Sequence, residues 1–140
     1  MKNRLLGLDH GKNHIGLALS DPSGLLASPY LVINYLSKKE LLTQLSDIIA
    51  KEQVNGLVIG LPLNKDGRKG KAAEEIEKFA DFINHNLKLP VYLIDERFTS
   101  QQANVILNSS KMNLQKKKEL THKLSAALIL QSYLDRQKNL

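Results

Sequence analysis

The feature that most limits what this chain can become is the order and spacing of its short apolar runs. Arg4-Leu-Leu-Gly-Leu-Asp9 and Ile15-Gly-Leu-Ala-Leu19 follow one another across a turn at Gly11, and Tyr30-Leu-Val-Ile33 comes after the turn signal Asp21-Pro-Ser-Gly24. Runs this short and this close read as an antiparallel meander of three strands. The rhythm then changes. Ser37-Lys-Lys-Glu40 fits a capping box, and Leu41, Leu42, Leu45, Ile48 and Ile49 recur behind it at helical spacing. Gly56-Leu-Val-Ile-Gly60 is a glycine-bounded apolar run of the kind that forms a buried parallel strand. A polar loop over 61–70 leads into a second helix with Ala72, Ala73, Ile76, Phe79, Ala80 and Ile83 on one face.

Pro90 precedes another buried strand, Val91-Tyr-Leu-Ile94, and Thr99 and Gln102 can cap a short helix carrying Ala103, Ile106 and Leu107. The final helix spans about Leu114 to Leu134. Its two apolar stripes, Leu120, Leu124, Ala127, Leu128 and then Ala126, Ile129, Tyr133, predict a sandwiched helix. Helix alternating with strand implies right-handed crossovers between parallel strands. The expected fold is α/β: a mixed five-stranded sheet, a three-strand meander plus two parallel strands, flanked by about four helices in one domain over 1–140.

At 42% apolar residues the 140-residue chain can bury one continuous core. It has no cysteine, which removes disulfides and thiolate metal sites and fits a reducing compartment. Met1-Lys-Asn-Arg4 leads straight into a short apolar run rather than a signal-peptide core, so the expectation is a cytoplasmic protein without a membrane partner. Lys and Arg outnumber Asp and Glu by 20 to 14, a net charge of +6 that favours polyanionic partners such as nucleic acid.

Sites in open α/β sheets form at the carboxyl ends of strands, and carboxylates stand at two such ends. Asp9 closes the first strand; Asp95 and Glu96 close the last. Brought side by side, they offer the hard oxygen ligands that suit Mg²⁺ or Mn²⁺, the ions that assist phosphodiester hydrolysis. The glycine two residues after Asp9 lets backbone approach a phosphate or metal closely. The same D-x-G-x-x-x-x-G pattern occurs in sugar-kinase phosphate loops, but those proteins need a second homologous domain for which this chain is too short. Neither Gly11-Lys12 nor Gly70-Lys71 completes a P-loop.

Four blocks together carry a resemblance over almost the whole chain: Asp9-His-Gly-Lys-Asn-His-Ile-Gly16, Val58-Ile-Gly-Leu-Pro-Leu-Asn-Lys-Asp-Gly67, Asp95-Glu-Arg-Phe-Thr99 and Ser125-Ala-Ala-Leu-Ile-Leu-Gln-Ser-Tyr-Leu134. In this order they resemble the YqgF (RuvX-like) family of the RNase H-like superfamily. The resemblance implies an RNase H-like fold and a nuclease acting on the end of precursor 16S ribosomal RNA in ribosome maturation, with junction resolution on branched DNA as the alternative. It also implies that Asp9 and Glu96 are metal ligands, with Asp95 a ligand or a group behind the ligands. The family places an aspartate three residues before the small pair matching Ser125-Ala126, where this chain has His122. Imidazole binds Mn²⁺ but is a poorer partner for Mg²⁺. His122 is therefore either a third catalytic ligand or a packing residue. Its presence leaves open a weakened enzyme, an altered metal preference, or an RNA-binding ribosome-assembly factor without turnover.

Cations expected to meet phosphates are Lys12 in the first turn, Lys65, Arg68, Lys69 and Lys71 in the 61–70 loop and just beyond it, and Arg97, which either orients Glu96 or touches substrate. Lys111 with Lys116-Lys-Lys118 forms a second plausible contact region, although ordinary solvated charge accounts for it more readily. Ribosomal particles are a further implied partner. Junction resolution implies a dimer, and RNA cleavage is open to a monomer.

Overall fold

The computed structural model describes residues 4–96 and 113–138. Strands β1 (Arg4–His10), β2 (His14–Ser20) and β3 (Ala27–Asn34) precede helix α1 (Lys38–Glu52), strand β4 (Val54–Leu61), helix α2 (Lys71–Leu87), strand β5 (Val91–Asp95) and helix α3 (Leu114–Lys138). The five strands form one sheet in the order β3-β2-β1-β4-β5. β1 and β2, and β2 and β3, pair antiparallel as the meander requires; β1 and β4, and β4 and β5, pair parallel. The expected sheet is the observed one, except that β5, expected to be a buried strand, ends the strand order and leaves Tyr92 and Leu93 exposed. The short helix expected from Thr99, together with Arg97 and Lys111, lies outside the described residues.

Strand alternation sorts the residues onto two unlike faces. Leu6, Leu8, Ile15, Leu17, Leu19, Leu57 and Ile59 point to one side and form a core with Leu41 and Leu45 of α1 and Ile76, Ala80 and Ile83 of α2. Leu5, Ala18, Val58 and Ile94 point to the other and pack on Ala126, Ala127, Ile129, Leu130 and Leu134 of α3. The α3 side is paved with small residues. A Cβ at Gly7 would come within 2.8 Å of the Leu130 Cβ and 2.9 Å of the Ala126 carbonyl oxygen, and a Cβ at Gly16 would run into the carbonyl of His122. The absence of side chains there is what lets α3 lie directly on the strands. Of the other expected stripe of this helix, Ala127 is buried, while Leu120, Leu124 and Leu128 are only half-buried.

The elements run slightly beyond their expected ends. Ser37 caps α1 by accepting from the Glu40 N–H at 3.1 Å, and the Glu40 carboxylate reaches back to accept from the Leu36 N–H at 3.3 Å. α1 and α2 end on left-handed residues that are not glycine, Gln53 (φ 57°) and Lys88 (φ 58°), whose N–H groups donate to the carbonyls of Ile49 and Asn84. β3 begins at Ala27, three residues before the apolar run, and tolerates Pro29 because it stands at the end of the strand order.

Candidate active site

Asp9 is the penultimate residue of β1 and, by alternation, follows Leu5 and Gly7 onto the α3 face. Glu96 immediately follows β5 and continues the face on which Tyr92 stacks with Tyr133 of α3 and Ile94 is buried. Its backbone N–H donates to the Leu61 carbonyl at 3.1 Å, tying the end of β5 to the end of β4. Asp9 and Glu96 do not stand on neighbouring strands, as simple adjacency of their parallel strands would have it, because β4 runs between them. They meet over Gly60. A Cβ at this glycine would lie 2.7 Å from Glu96 Oε2 and 2.7 Å from Ile129 Cδ1.

The two carboxyl groups are hydrogen-bonded to each other. Burial pushes Asp9 up to about 6, although its bond with Glu96 opposes the rise. Glu96 is pushed up to about 8 by burial, by the Asp9 charge, by the shared hydrogen bond and by the charge of Asp95. The pair therefore holds one proton near neutrality, carried by Glu96 and donated to Asp9, because two adjacent half-buried carboxylates repel. A small, hard cation relieves the same repulsion, so the donor set fits Mg²⁺ or Mn²⁺. Among the described residues, no three His, Asp or Glu side chains are gathered closely enough to form a metal-holding group. The carboxylate pair is the part of the expected ligand set that the fold brings together.

His122 sits on α3 with its carbonyl over Gly16, the residue paired with Asp9 across β1 and β2. Its backbone is thus beside the carboxylates, but its ring packs against His14, tilted by 40° with centroids 3.9 Å apart. Burial, His14 and Lys118 all lower its pKa, which favours the neutral, metal-ligating form. No pattern in the sequence singles out His14. Its imidazole covers Gly11 so closely that a Cβ there would collide with it, which gives that glycine a packing role beside the site. The Ser125 hydroxyl is buried without a hydrogen-bond partner in the described structure, one helical turn before Ile129, whose side chain reaches Gly60.

Of the expected phosphate-binding cations, Lys69 bridges to Glu77 at 2.9 Å and Arg68 lies 3.8 Å from Asp66. Both pairs are exposed, and such pairs contribute little to stability and exchange readily. The loop holding them is organised by hydrogen bonds from Asn64 N–H to the Arg68 carbonyl, from Gly67 N–H to the Asn64 carbonyl and from Arg68 N–H to Asp66 Oδ1. Lys65 belongs to this loop, Lys71 starts α2, and Lys12 lies in the β1–β2 turn.

The whole of this architecture, from residue 3 to residue 136, matches the family model described as RuvX, Holliday junction resolvase. The chain belongs to the RuvX family, the YqgF family of the sequence resemblance. Relatives described as "Putative pre-16S rRNA nuclease" support the assignment. The one from Koribacter versatilis is 39% identical over 96% of this chain and 88% of its own length. That from Crocosphaera subtropica is 40% identical over 95% of this chain and 93% of its own. Among solved structures, Thermus thermophilus RuvC in complex with a Holliday junction superposes with a TM-score of 0.57 at 13% identity, covering 98% of this chain and 96% of that one. The fowlpox virus resolvase bound to junction DNA gives 0.51 at 14% identity, over 96% and 98%. At such identities these structures establish that the RuvX-family chain shares the RNase H-like resolvase fold.

Proposed function

We propose that this chain is a divalent-metal-dependent nuclease that hydrolyses phosphodiesters of precursor 16S ribosomal RNA at its 5′ end, working as one domain in the cytoplasm. The observation that carries the reading is the meeting of Asp9 and Glu96 over Gly60. Such a half-buried acidic pair costs stability unless a cation or proton is shared. Its place at the carboxyl edge of the sheet suits an active site.

Asp9 and Glu96 would hold Mg²⁺ or Mn²⁺, and His122 would complete the set by turning its ring away from His14. When bound, the cation supplies Lewis acidity toward a phosphoryl oxygen. Asp95, whose charge reaches Glu96, keeps that carboxyl responsive to the cation. Lys12, Lys65, Arg68, Lys69 and Lys71 would bind phosphates on either side of the scissile bond; Arg68 and Lys69 would exchange their exposed acidic partners for phosphate oxygens. Arg97, next in sequence to Glu96, would join them. The relatives' description as pre-16S rRNA nucleases supports RNA as substrate.

The family's description as a Holliday junction resolvase supports a second reading, a dimer cutting branched DNA. A labelled RNA spanning the 5′ end of precursor 16S rRNA and a four-way DNA junction, each incubated with Mn²⁺, Mg²⁺ or EDTA, separate the two. Metal-dependent cutting of the RNA at a defined position supports the first reading. Symmetric cutting of the junction alone supports the second. Salt-sensitive RNA binding with no cutting of either substrate would make the chain an RNA-binding assembly factor and sink both.

A further inference from the structure

The β1–β2 turn separates two different surfaces. Asp9 faces α3, while the next residue, His10, faces α2 and packs on Phe79 with ring centroids 4.4 Å apart. On His10's side lies a cleft of about 550 Å³, bounded by the 10–13 turn, the end of β3 and the first turns of α2. Its volume is in the range of small-ligand sites. Tyr35 and Ile76 give it apolar walls, Lys12 and Asn13 line the turn side, and Glu75 projects from α2. The Tyr35 backbone N–H donates to the Asn13 carbonyl at 3.2 Å, so the aromatic wall is tethered to the turn that follows Asp9.

We propose that this cleft is a nucleotide subsite that takes one unpaired base of the substrate strand beside the scissile phosphate. The inference rests on the nuclease reading above for the placement of that phosphate. Each part of the cleft suits a different part of a nucleotide. A base plane stacks on the Tyr35 ring against Ile76, and the Lys12 ammonium meets the adjoining phosphate. The Glu75 carboxylate repels phosphate but accepts from an exocyclic amino group, which cytosine, adenine and guanine carry and uracil lacks, so it favours cytosine over uracil, whose one Watson–Crick donor is the ring N3–H. A base paired in a duplex presents neither its Watson–Crick edge nor a free face, so the subsite requires single-stranded RNA at that position.

Fluorescence anisotropy in EDTA, which measures binding without cleavage, tests this with single-stranded oligo-C, oligo-U and a duplex RNA of equal length. Tyr35→Ala is expected to weaken oligo-C binding on the order of tenfold, with duplex affinity unchanged and Tyr35→Phe close to wild type. Glu75→Gln, an exposed change that leaves the fold undisturbed, is expected to erase the preference for oligo-C over oligo-U. Equal losses on single strand and duplex, no loss on either, or no preference in the wild type would overturn the proposal. So would competition by a free mononucleotide at the oligonucleotide's own affinity, which would assign the cleft to a soluble ligand. A protein that binds in this way yet never cuts RNA sinks the nuclease reading and leaves the base subsite standing.

Discussion

Glu96 donates a hydrogen bond to Asp9 across a strand that carries neither of them, and it does so because residue 60 of that strand is glycine. The contact joins the ends of β1 and β5 over β4. Gly60→Ala would put a Cβ 2.7 Å from Glu96 Oε2, and the flexible glutamate would give way. We expect a folded protein whose cleavage rate falls on the order of a hundredfold, since an ångström of misplacement costs about that much. Gly16→Ala meets backbone instead, the His122 carbonyl, so α3 itself must move. The expected cost there is about 1–3 kcal/mol of stability. Urea unfolding and cleavage assays on both variants check the contrast; a larger stability loss at residue 60 than at residue 16 would contradict it.

The raised pKa values fix the sign of a pH dependence. Asp9 moves from 3.8 to about 6 and Glu96 from 4.5 to about 8, so through that interval the folded state holds more protons than the unfolded one. Stability from this pair is present in full below the unfolded values and is lost as pH rises through the folded ones. In EDTA, thermal unfolding midpoints are expected to fall between about pH 5 and pH 8. Glu96→Gln is expected to flatten the slope. Mn²⁺ at the alkaline end should raise the wild-type midpoint and leave the variant's unchanged. A midpoint that climbs with pH because of this pair would refute the assignment.

Much of this arrangement is legible in the sequence, and the parts that are not have definite causes. Asp9 and Glu96 stand out because each follows an apolar run, which is where a strand ends. Gly60 reads as a strand boundary, since nothing local reveals that a distant carboxylate will occupy the space its missing side chain leaves. The Gly7, Gly16 and Ala18 face gives β1 and β2 the look of uniformly apolar runs, hiding the close approach of α3. His14 escapes notice because a histidine in a glycine turn carries no pattern until the helix bearing His122 is laid across it. α1 and α2 outrun their apolar stripes because Gln53 and Lys88 take left-handed cap positions that glycine would have advertised.

Restoring a carboxylate at the helix position tests the role of His122. His122→Asp removes the ring packed against His14 and places a hard oxygen donor on the turn of α3 beside Asp9. We expect Mg²⁺-supported cleavage to rise several-fold relative to Mn²⁺-supported cleavage, because carboxylate oxygen suits Mg²⁺ better than imidazole does. Unchanged metal preference would show that residue 122 stays outside the ligand set.

Ser20 supplies a control remote from the chemistry. Its buried hydroxyl accepts from the Leu5 N–H at 2.8 Å, satisfying a donor at the start of β1. Ser20→Ala leaves that donor unpaired and is expected to cost about 1–3 kcal/mol in urea unfolding while cleavage at saturating metal persists. A neutral effect on stability would mean that water replaces the hydroxyl.

The most direct test of a cation site at the carboxylate pair is cleavage of the precursor 16S rRNA 5′-end substrate in Mn²⁺ by wild type and Asp9→Asn, with RNA binding and unfolding followed in parallel. Metal-dependent cutting by wild type, abolished in a folded Asp9→Asn variant that binds RNA with unchanged affinity, is the expected result. Full cleavage by that variant would contradict a catalytic role for Asp9 and, with it, the assignment of the site.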